Sequence, residues 1–270
     1  MKTRKKDIKE IVRSKYDQIA AQNKEQNQSS CCGGADCCSD KDYSVFSDDY
    51  SHVRGYNEEA DLGLGCGIPS DYEKKKKGET VLDLGSGAGN DCFVARSFVG
   101  EEGFVYGIDF SDEMFRKAKQ NTKKLGYQNI EFIRGDIENM PFNENKIDKV
   151  LSNCVLNLVP GKEKAFKEIF RVLNQNGSFC ISDVVIVGQL PDSVIKDAEL
   201  YAGCVAGAIQ KDNYIKTIEK AGFSNIQIHK EKEIILPDEM LSNYLNEKEL
   251  KSFKHSGTGI YSITVSGKKS

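Results

Sequence analysis

Three cysteines have neighbours that point to chemistry more than to packing. Cys66 lies in Leu62-Gly63-Leu64-Gly65-Cys66-Gly67-Ile68-Pro69, Cys154 in Ser152-Asn153-Cys154-Val155-Leu156-Asn157-Leu158, and Cys204 in Tyr201-Ala202-Gly203-Cys204-Val205-Ala206-Gly207-Ala208. Glycine neighbours and loop positions argue against simple core burial, whereas Cys92 and Cys180 fall on helix and strand faces and read as small core side chains. The pairs Cys31-Cys32 and Cys37-Cys38 stand in a polar stretch without apolar periodicity, which predicts a loop. Nine cysteines in 270 residues are too few for a disulfide scaffold of this length. In a reducing compartment such thiols serve as nucleophiles, ligands or core residues.

A second constellation suits a nucleoside. Val81-Leu82-Asp83-Leu84-Gly85-Ser86-Gly87-Ala88-Gly89 reads as a strand running into a glycine turn that opens a helix, and Gly85 and Gly87 let a ligand approach the backbone closely. The spacing is Gly-x-Gly-x-Gly, one residue short of the dinucleotide fingerprint, so a pyrophosphate fits less well. Asp109 ends the next strand, where a carboxylate accepts both hydroxyls of a ribose. Asp136 and Ile137 follow the third strand and could hold an adenine amino group and ring face. Together these features resemble class I S-adenosylmethionine-dependent methyltransferases, and Asp83 with the strand-end carboxylates suits a sulfonium charge. Ser86, Phe110 and Asn153 complete the expected cofactor-binding set.

The elements that must position these residues follow from periodicity. Short β-like runs are expected at Thr80 to Leu84, Phe104 to Ile108, Ile130 to Ile133, Lys149 to Ser152 and Ser178 to Val187, with helices at Asn90 to Val99, Asp112 to Leu125 and Lys162 to Leu173 between them. Such alternation predicts an α/β fold with a parallel, doubly wound sheet. Beyond Pro191 come helical stretches through Cys204 and Gly207 and from Asn213 to Ala221, then strands near Asn225 to His229 and Gly259 to Val265. The division is an amino-terminal helix, from about Asp7 to Gln22, with a cysteine-rich loop over 1–42, then a catalytic unit over 43–270 with a helical cap over 191–222. Lys74 to Lys77 read as a solvated boundary. No solenoid repeat appears.

A net charge of −3 gives no electrostatic reason to seek nucleic acid or anionic lipid. The apolar runs are far shorter than the ~20 residues of a membrane span, and the start lacks the apolar block of a secretory signal. A cytoplasmic protein is expected. After the fourth strand there is no proline pair or aromatic clamp for a flipped base, no proline before Cys154 as in cytosine-directed enzymes, and no histidine paired with a nucleophile. Thiol chemistry remains.

The three cysteine segments resemble those of arsenite S-adenosylmethyltransferases: a Gly-Cys-Gly loop before the glycine motif, Asn-Cys-Val-x-Asn-Leu after the fourth strand, and Gly-Cys-x-x-Gly-Ala in a cap. The match runs from about Leu62 to Gly222. The resemblance implies a Rossmann-like seven-stranded sheet, S-adenosyl-L-methionine as methyl donor, and arsenite or its glutathione complex as substrate, held by Cys66, Cys154 and Cys204. Trivalent arsenic is soft and prefers thiolate to oxygen or imidazole. It further implies that an early cysteine, one of Cys31, Cys32, Cys37 and Cys38, pairs with Cys66 during turnover and is reduced by thioredoxin or glutathione. A delivery loop or a zinc site is an alternative for those four. Phe110 stands where relatives often have Met and should still cover the adenine. Many relatives continue with a further carboxyl-terminal segment, and the number of methyl transfers stays open. Two other readings remain: a small-molecule C- or O-methyltransferase of the quinone-biosynthesis type, and a non-catalytic thiol protein that sequesters a metalloid.

Overall fold

Parallel strands covered on both faces are near-continuous apolar runs joined by amphipathic crossovers, and the chain builds such a sheet. The computed structural model describes residues 2–22, 27, 48–73, 76–188, 207–234, 242, 245–255 and 258–270. Its strands are β1 (Thr80–Leu84), β2 (Phe104–Asp109), β3 (Ile130–Arg134), β4 (Ile147–Asn153), β5 (Leu173–Val187), β6 (Ile209–Gln210), β7 (Ser224–Glu233) and β8 (Gly259–Lys268). The order is β3-β2-β1-β4-β5-β8-β7, with β6 paired to β5. β1 to β5 run parallel, and β8 inserts antiparallel between β5 and β7.

The helices are α1 (Lys2–Ala20), α2 (Asn90–Val99), α3 (Asp112–Leu125), α4 (Lys162–Val172), α5 (Lys211–Lys220) and α6 (Glu247–His255). Successive strand residues point to opposite faces. Leu82, Val150 and Phe179 therefore pack with Phe166, Ile169 and Tyr214 from α4 and α5. Val81, Leu151 and Cys180 pack with Phe93, Ala95, Met114 and Ala118 from α2 and α3. Each fully buried Leu, Ile or Phe contributes on the order of 2 kcal/mol. α3 starts where Ser111 caps it, the side chain accepting from Met114 N, and stops at Gly126, whose φ of 68° is left-handed.

Every expected strand is present, and most are longer than the periodicity suggested. The sheet has eight strands where seven were expected, because β6 is two residues long and leaves no periodic trace. α6 was not expected. β7 is an exposed edge ending in His229-Lys230-Glu231-Lys232-Glu233, charged residues that discourage edge-to-edge pairing. Lys76 and Lys77 are exposed, as a solvated boundary requires. The expected helical stretch through Cys204 lies outside the described residues. β1 has β2 on one side and β4 on the other, so the strand order reverses there and leaves a crevice at the carboxyl ends of the strands.

Candidate active site

A cavity of about 210 Å³ occupies this crevice. Gly85, Ser86 and Gly87 after β1, Asp109 and Phe110 at the end of β2, Asp136 and Ile137 after β3, and Asn153 and Cys154 at the end of β4 all line it. Asp109 braces the glycine turn: Oδ2 accepts Gly87 N at 2.9 Å and Oδ1 accepts Ser111 N at 2.9 Å. A carboxylate offers about four acceptor sites, so capacity remains for ligand hydroxyls. Burial pushes Asp109 up to about 6, against the N–H bonds from Ser111 and Gly87 that favour its charged form. Ser86 Oγ is buried on the cavity wall with no hydrogen-bond partner. Gly87 has a left-handed φ of 51°, and a Cβ there would meet only Met114 Sδ, at 4.0 Å.

The structure places the expected sulfonium partner elsewhere. Asp83 does not line the cavity; it lies beneath the glycine turn, 2% exposed, accepting the Cys92 thiol at 3.4 Å. Burial, then the nearby charges of Asp91 and Asp109, pushes its carboxyl well above the usual range. Asp91 takes the cavity position instead. Tyr50 Oη donates to its Oδ1 at 2.7 Å and Asn153 Nδ2 to its Oδ2 at 3.3 Å. Burial pushes Asp91 up to about 6, with those two donors opposing.

Asn153 also holds the cysteine loop. Its Oδ1 accepts Cys66 N at 3.0 Å, and its Nδ2 lies 2.8 Å from Tyr50 Oη and 2.8 Å from Gly67 O. The two glycines around Cys66 follow from this crowding. A Cβ on Gly65 would come within 2.5 Å of Asn153 Nδ2, and one on Gly67 would collide with Ser182 Oγ. Ser262 Oγ donates to Cys66 O, and Tyr50 Oη lies 3.1 Å from Gly67 O. Cys154 adopts a left-handed φ of 59°, unusual without glycine. Its N donates to Ser182 O at 2.8 Å.

Cys66 and Cys154 are both buried, and neither forms a disulfide. Both thiols are within electrostatic reach of the Tyr214 hydroxyl, which is pushed well up by burial first, then by Asp183, and by these two sulfurs. Tyr214 Oη donates to Asp183 Oδ2 at 2.8 Å, and both residues are fully buried. Cys92 and Cys180 are buried in the sheet core with thiols pushed up by burial, which leaves them inert. Cys31, Cys32, Cys37, Cys38 and Cys204 lie outside the described residues. Among the described residues no cluster of three His, Cys, Asp or Glu side chains is arranged to hold a metal ion.

Sequence reasoning missed Tyr50, Asp91 and the α1 residues Lys9, Val12 and Tyr16, which also line the cavity. An acid in the first turn of a helix reads as a dipole partner, which hid Asp91, and nothing periodic marks Tyr50.

A doubly wound sheet with a glycine turn after β1 and acids after β1, β2 and β3 around one cavity defines a class I, Rossmann-like methyltransferase. The chain belongs to the methyltransferase-domain family, whose model matches residues 75–222. The arsenite methyltransferase of Halobacterium salinarum is 38% identical over 93% of this chain and 66% of its own length. The human arsenite methyltransferase is 34% identical over 72% of this chain and 55% of its own. A crystal structure of an arsenic(III) S-adenosylmethionine methyltransferase from Chlamydomonas reinhardtii superimposes with a TM-score of 0.64 at 34% identity, covering 75% of this chain and 66% of that one. The chain thus spans about half to two thirds of the length of these relatives.

The cavity fits S-adenosylmethionine. Asp109 can take ribose hydroxyls, Ser86 supplies a buried hydroxyl with no internal partner, Phe110 and Ile137 are apolar, and Asp91 presents a carboxylate for a cation. Among the described residues no helix is long and apolar enough to cross a membrane.

Proposed function

We propose that this chain is an arsenite methyltransferase serving arsenic detoxification, with Cys66, Cys154 and Cys204 as the ligands of trivalent arsenic. One observation carries the reading. Asn153 and Cys154 line the cofactor cavity, and the Asn153 side chain accepts from the backbone N of Cys66, which follows the lining residue Gly65. A quinone-directed enzyme has no need of one cysteine on the cavity wall and a second held by the neighbouring Asn153.

Each thiol would lose its proton as its S–As bond forms. The proton leaves with the displaced hydroxide as water, or with displaced glutathione as free thiol. S-adenosylmethionine, when bound, supplies an electrophilic methyl carbon that arsenic's lone pair can take, with S-adenosylhomocysteine as the departing thioether. Asn153 and Ser262 fix the loop of Cys66, and Ser182 fixes the backbone of Cys154, so the contribution of these residues is placement of the nucleophile. No general base is required. Methylation leaves arsenic two electrons short of the trivalent state. In this reading Cys66 and one of Cys31, Cys32, Cys37 and Cys38 provide them, and thioredoxin or glutathione reduces the resulting disulfide. The amino-terminal helix and cysteine segment over 1–42 would serve that relay, residues 191–222 would cap the arsenic, and a reducing cytoplasm would keep the thiols available.

The test is an assay of the purified chain with arsenite, S-adenosylmethionine and glutathione, separating arsenic species by chromatography and mass spectrometry. Methylarsenicals are expected, and Cys154→Ser should lower the rate by at least about a hundredfold. No methylarsenical from the wild type, or near-normal turnover by Cys154→Ser, overturns the reading.

A further inference from the structure

Tyr50 is buried, and its hydroxyl touches both the cavity acid Asp91 and the loop of Cys66. A phenol has one proton to donate. Two acceptors lie within its reach: Asp91 Oδ1 at 2.7 Å, and Gly67 O at 3.1 Å, the carbonyl of the residue after Cys66. Asn153 Nδ2 donates to the phenol oxygen from 2.8 Å and fixes where that oxygen stands. Burial first, then the charge of Asp91, pushes the hydroxyl well above its ordinary value, so the proton stays on Tyr50. One donor therefore serves two competing acceptors. The carboxylate has the advantage, being both charged and nearer.

We propose that Tyr50 is a positioning residue whose single proton passes the charge of the bound cofactor on to the loop of Cys66. A sulfonium against Asp91 partly neutralises the carboxylate and weakens it as an acceptor, so the proton turns toward Gly67 O and the loop tightens. With the neutral thioether the proton returns to Asp91 and the loop loosens. Only the O–H bond has to rotate. Cys66 is thus held firmly while a methyl group is available and more loosely once it has been transferred, which suits the release of a methylated product. This rests on Asp91 as the acid facing the sulfonium and, for its use in turnover, on Cys66 as an arsenic ligand.

The experiment measures iodoacetamide labelling of Cys66 in the full chain without arsenic, resolved by peptide mass spectrometry, with saturating S-adenosylmethionine or S-adenosylhomocysteine. Hydrogen exchange of the peptide carrying residues 62–68 reads the same loop if labelling is too slow. In wild type the sulfonium should slow labelling roughly fivefold relative to the thioether, the worth of one hydrogen bond. An analogue with an ammonium in place of the sulfonium should protect as the sulfonium does. Tyr50→Phe keeps the ring and the ligand's steric shielding but removes the proton, so the two ligands should then protect equally. Asp91→Asn, which removes the charge being sensed, should also abolish the difference, and it carries the comparison if Tyr50→Phe does not fold. A difference that persists in either variant overturns the proposal, and so does equal labelling in wild type. Proton release on binding the same two ligands separates the causes of equal labelling. Unequal release leaves Asp91 facing the cation and removes only the role of Tyr50, whereas equal release removes both. Whether Cys66 binds arsenic is decided separately by the methylarsenical assay.

Discussion

A single carboxamide joins the two halves of the site. Asn153 accepts from Cys66 N through its oxygen, and its nitrogen is within hydrogen-bond distance of Gly67 O, Tyr50 Oη and Asp91 Oδ2. An amide has both donor and acceptor ends, and a carboxylate at 153 could not donate to Gly67 O or Asp91. Asn153→Ala leaves a buried amide, a carbonyl and a carboxylate short of partners, each worth about 1–3 kcal/mol when left unmet. Some relaxation is expected, so the net loss should be roughly 2–4 kcal/mol, read by urea unfolding. The stronger test is alkylation of Cys66. With its loop released, that thiol should react at least about tenfold faster with iodoacetamide, followed by peptide mass spectrometry, while Cys92 and Cys180 stay protected in the core. Unchanged labelling would show that the loop is held by its other contacts, Ser262 to Cys66 O and Tyr50 to Gly67 O.

At the scale of elements, α1 contributes Lys9, Val12 and Tyr16 to the cavity lining. Lys9 Nζ bridges Asp136 Oδ2 at 2.8 Å and Glu138 Oε2 at 2.9 Å, and Glu138 in turn accepts Gly161 N at 2.7 Å. Further along α1, Asp17 accepts Ser111 Oγ at 2.6 Å, and Lys117 Nζ donates to Ala20 O at 3.1 Å. The helix thus grips the loops after β2 and β3, from which the nucleoside anchors come. Asp136 is about half exposed, so this ion pair is worth at most ~1 kcal/mol. Lys9→Met is therefore expected to weaken cofactor binding about threefold, and the gap between variant and wild type should narrow in ~1 M salt, where screening reaches ~3 Å. Equal affinities at low salt would mean that the helix packs without helping to hold the ligand.

The elements differ in how far the sequence reveals them. β1, β2, β4 and β5 are legible because short apolar clusters such as Val81-Leu82, Val150-Leu151 and Val184-Val185-Ile186-Val187 recur between helical patterns, and β3 because Ile130 and Phe132 alternate with exposed Glu131. The lengths of β7 and β8 are not, since β7 alternates exposed Gln, Lys and Glu that resemble a loop. Gly85, Asp109 and Asp136 are legible because each ends or follows a strand in a parallel sheet. Asp91 and Tyr50 are not, because their pairing is fixed by tertiary contacts among residues 50, 67, 91 and 153 that obey no sequence period. The Gly-Cys-Gly motif is legible as a motif, but the close approach of Asn153 and Ser182 that excludes side chains at 65 and 67 is seen only in the fold.

Over the whole molecule the net charge is only −3, yet acids gather at one end of the sheet. Asp83, Asp91 and Asp109 stand around or beneath the cavity, and Asp91 and Asp109 both raise the carboxyl of Asp83. Asp91 and Asp109 are each pushed to about 6 by burial. A buried cation beside them favours their charged forms and lowers both values. Near pH 6 each group is about half protonated in the empty cavity, so binding a sulfonium should expel protons. Near pH 8 both are already ionised, and the release should vanish. The neutral thioether product shares every other group with the donor, which isolates the effect of the positive charge. Calorimetric titration at pH 6, repeated in buffers of different ionisation enthalpy, is expected to give roughly half a proton more released for S-adenosylmethionine than for S-adenosylhomocysteine. Asp91→Asn should remove most of that difference while leaving the fold intact. Equal proton release by the two ligands would put the sulfonium out of reach of these carboxylates and leave their crowding at the strand ends without a functional cause.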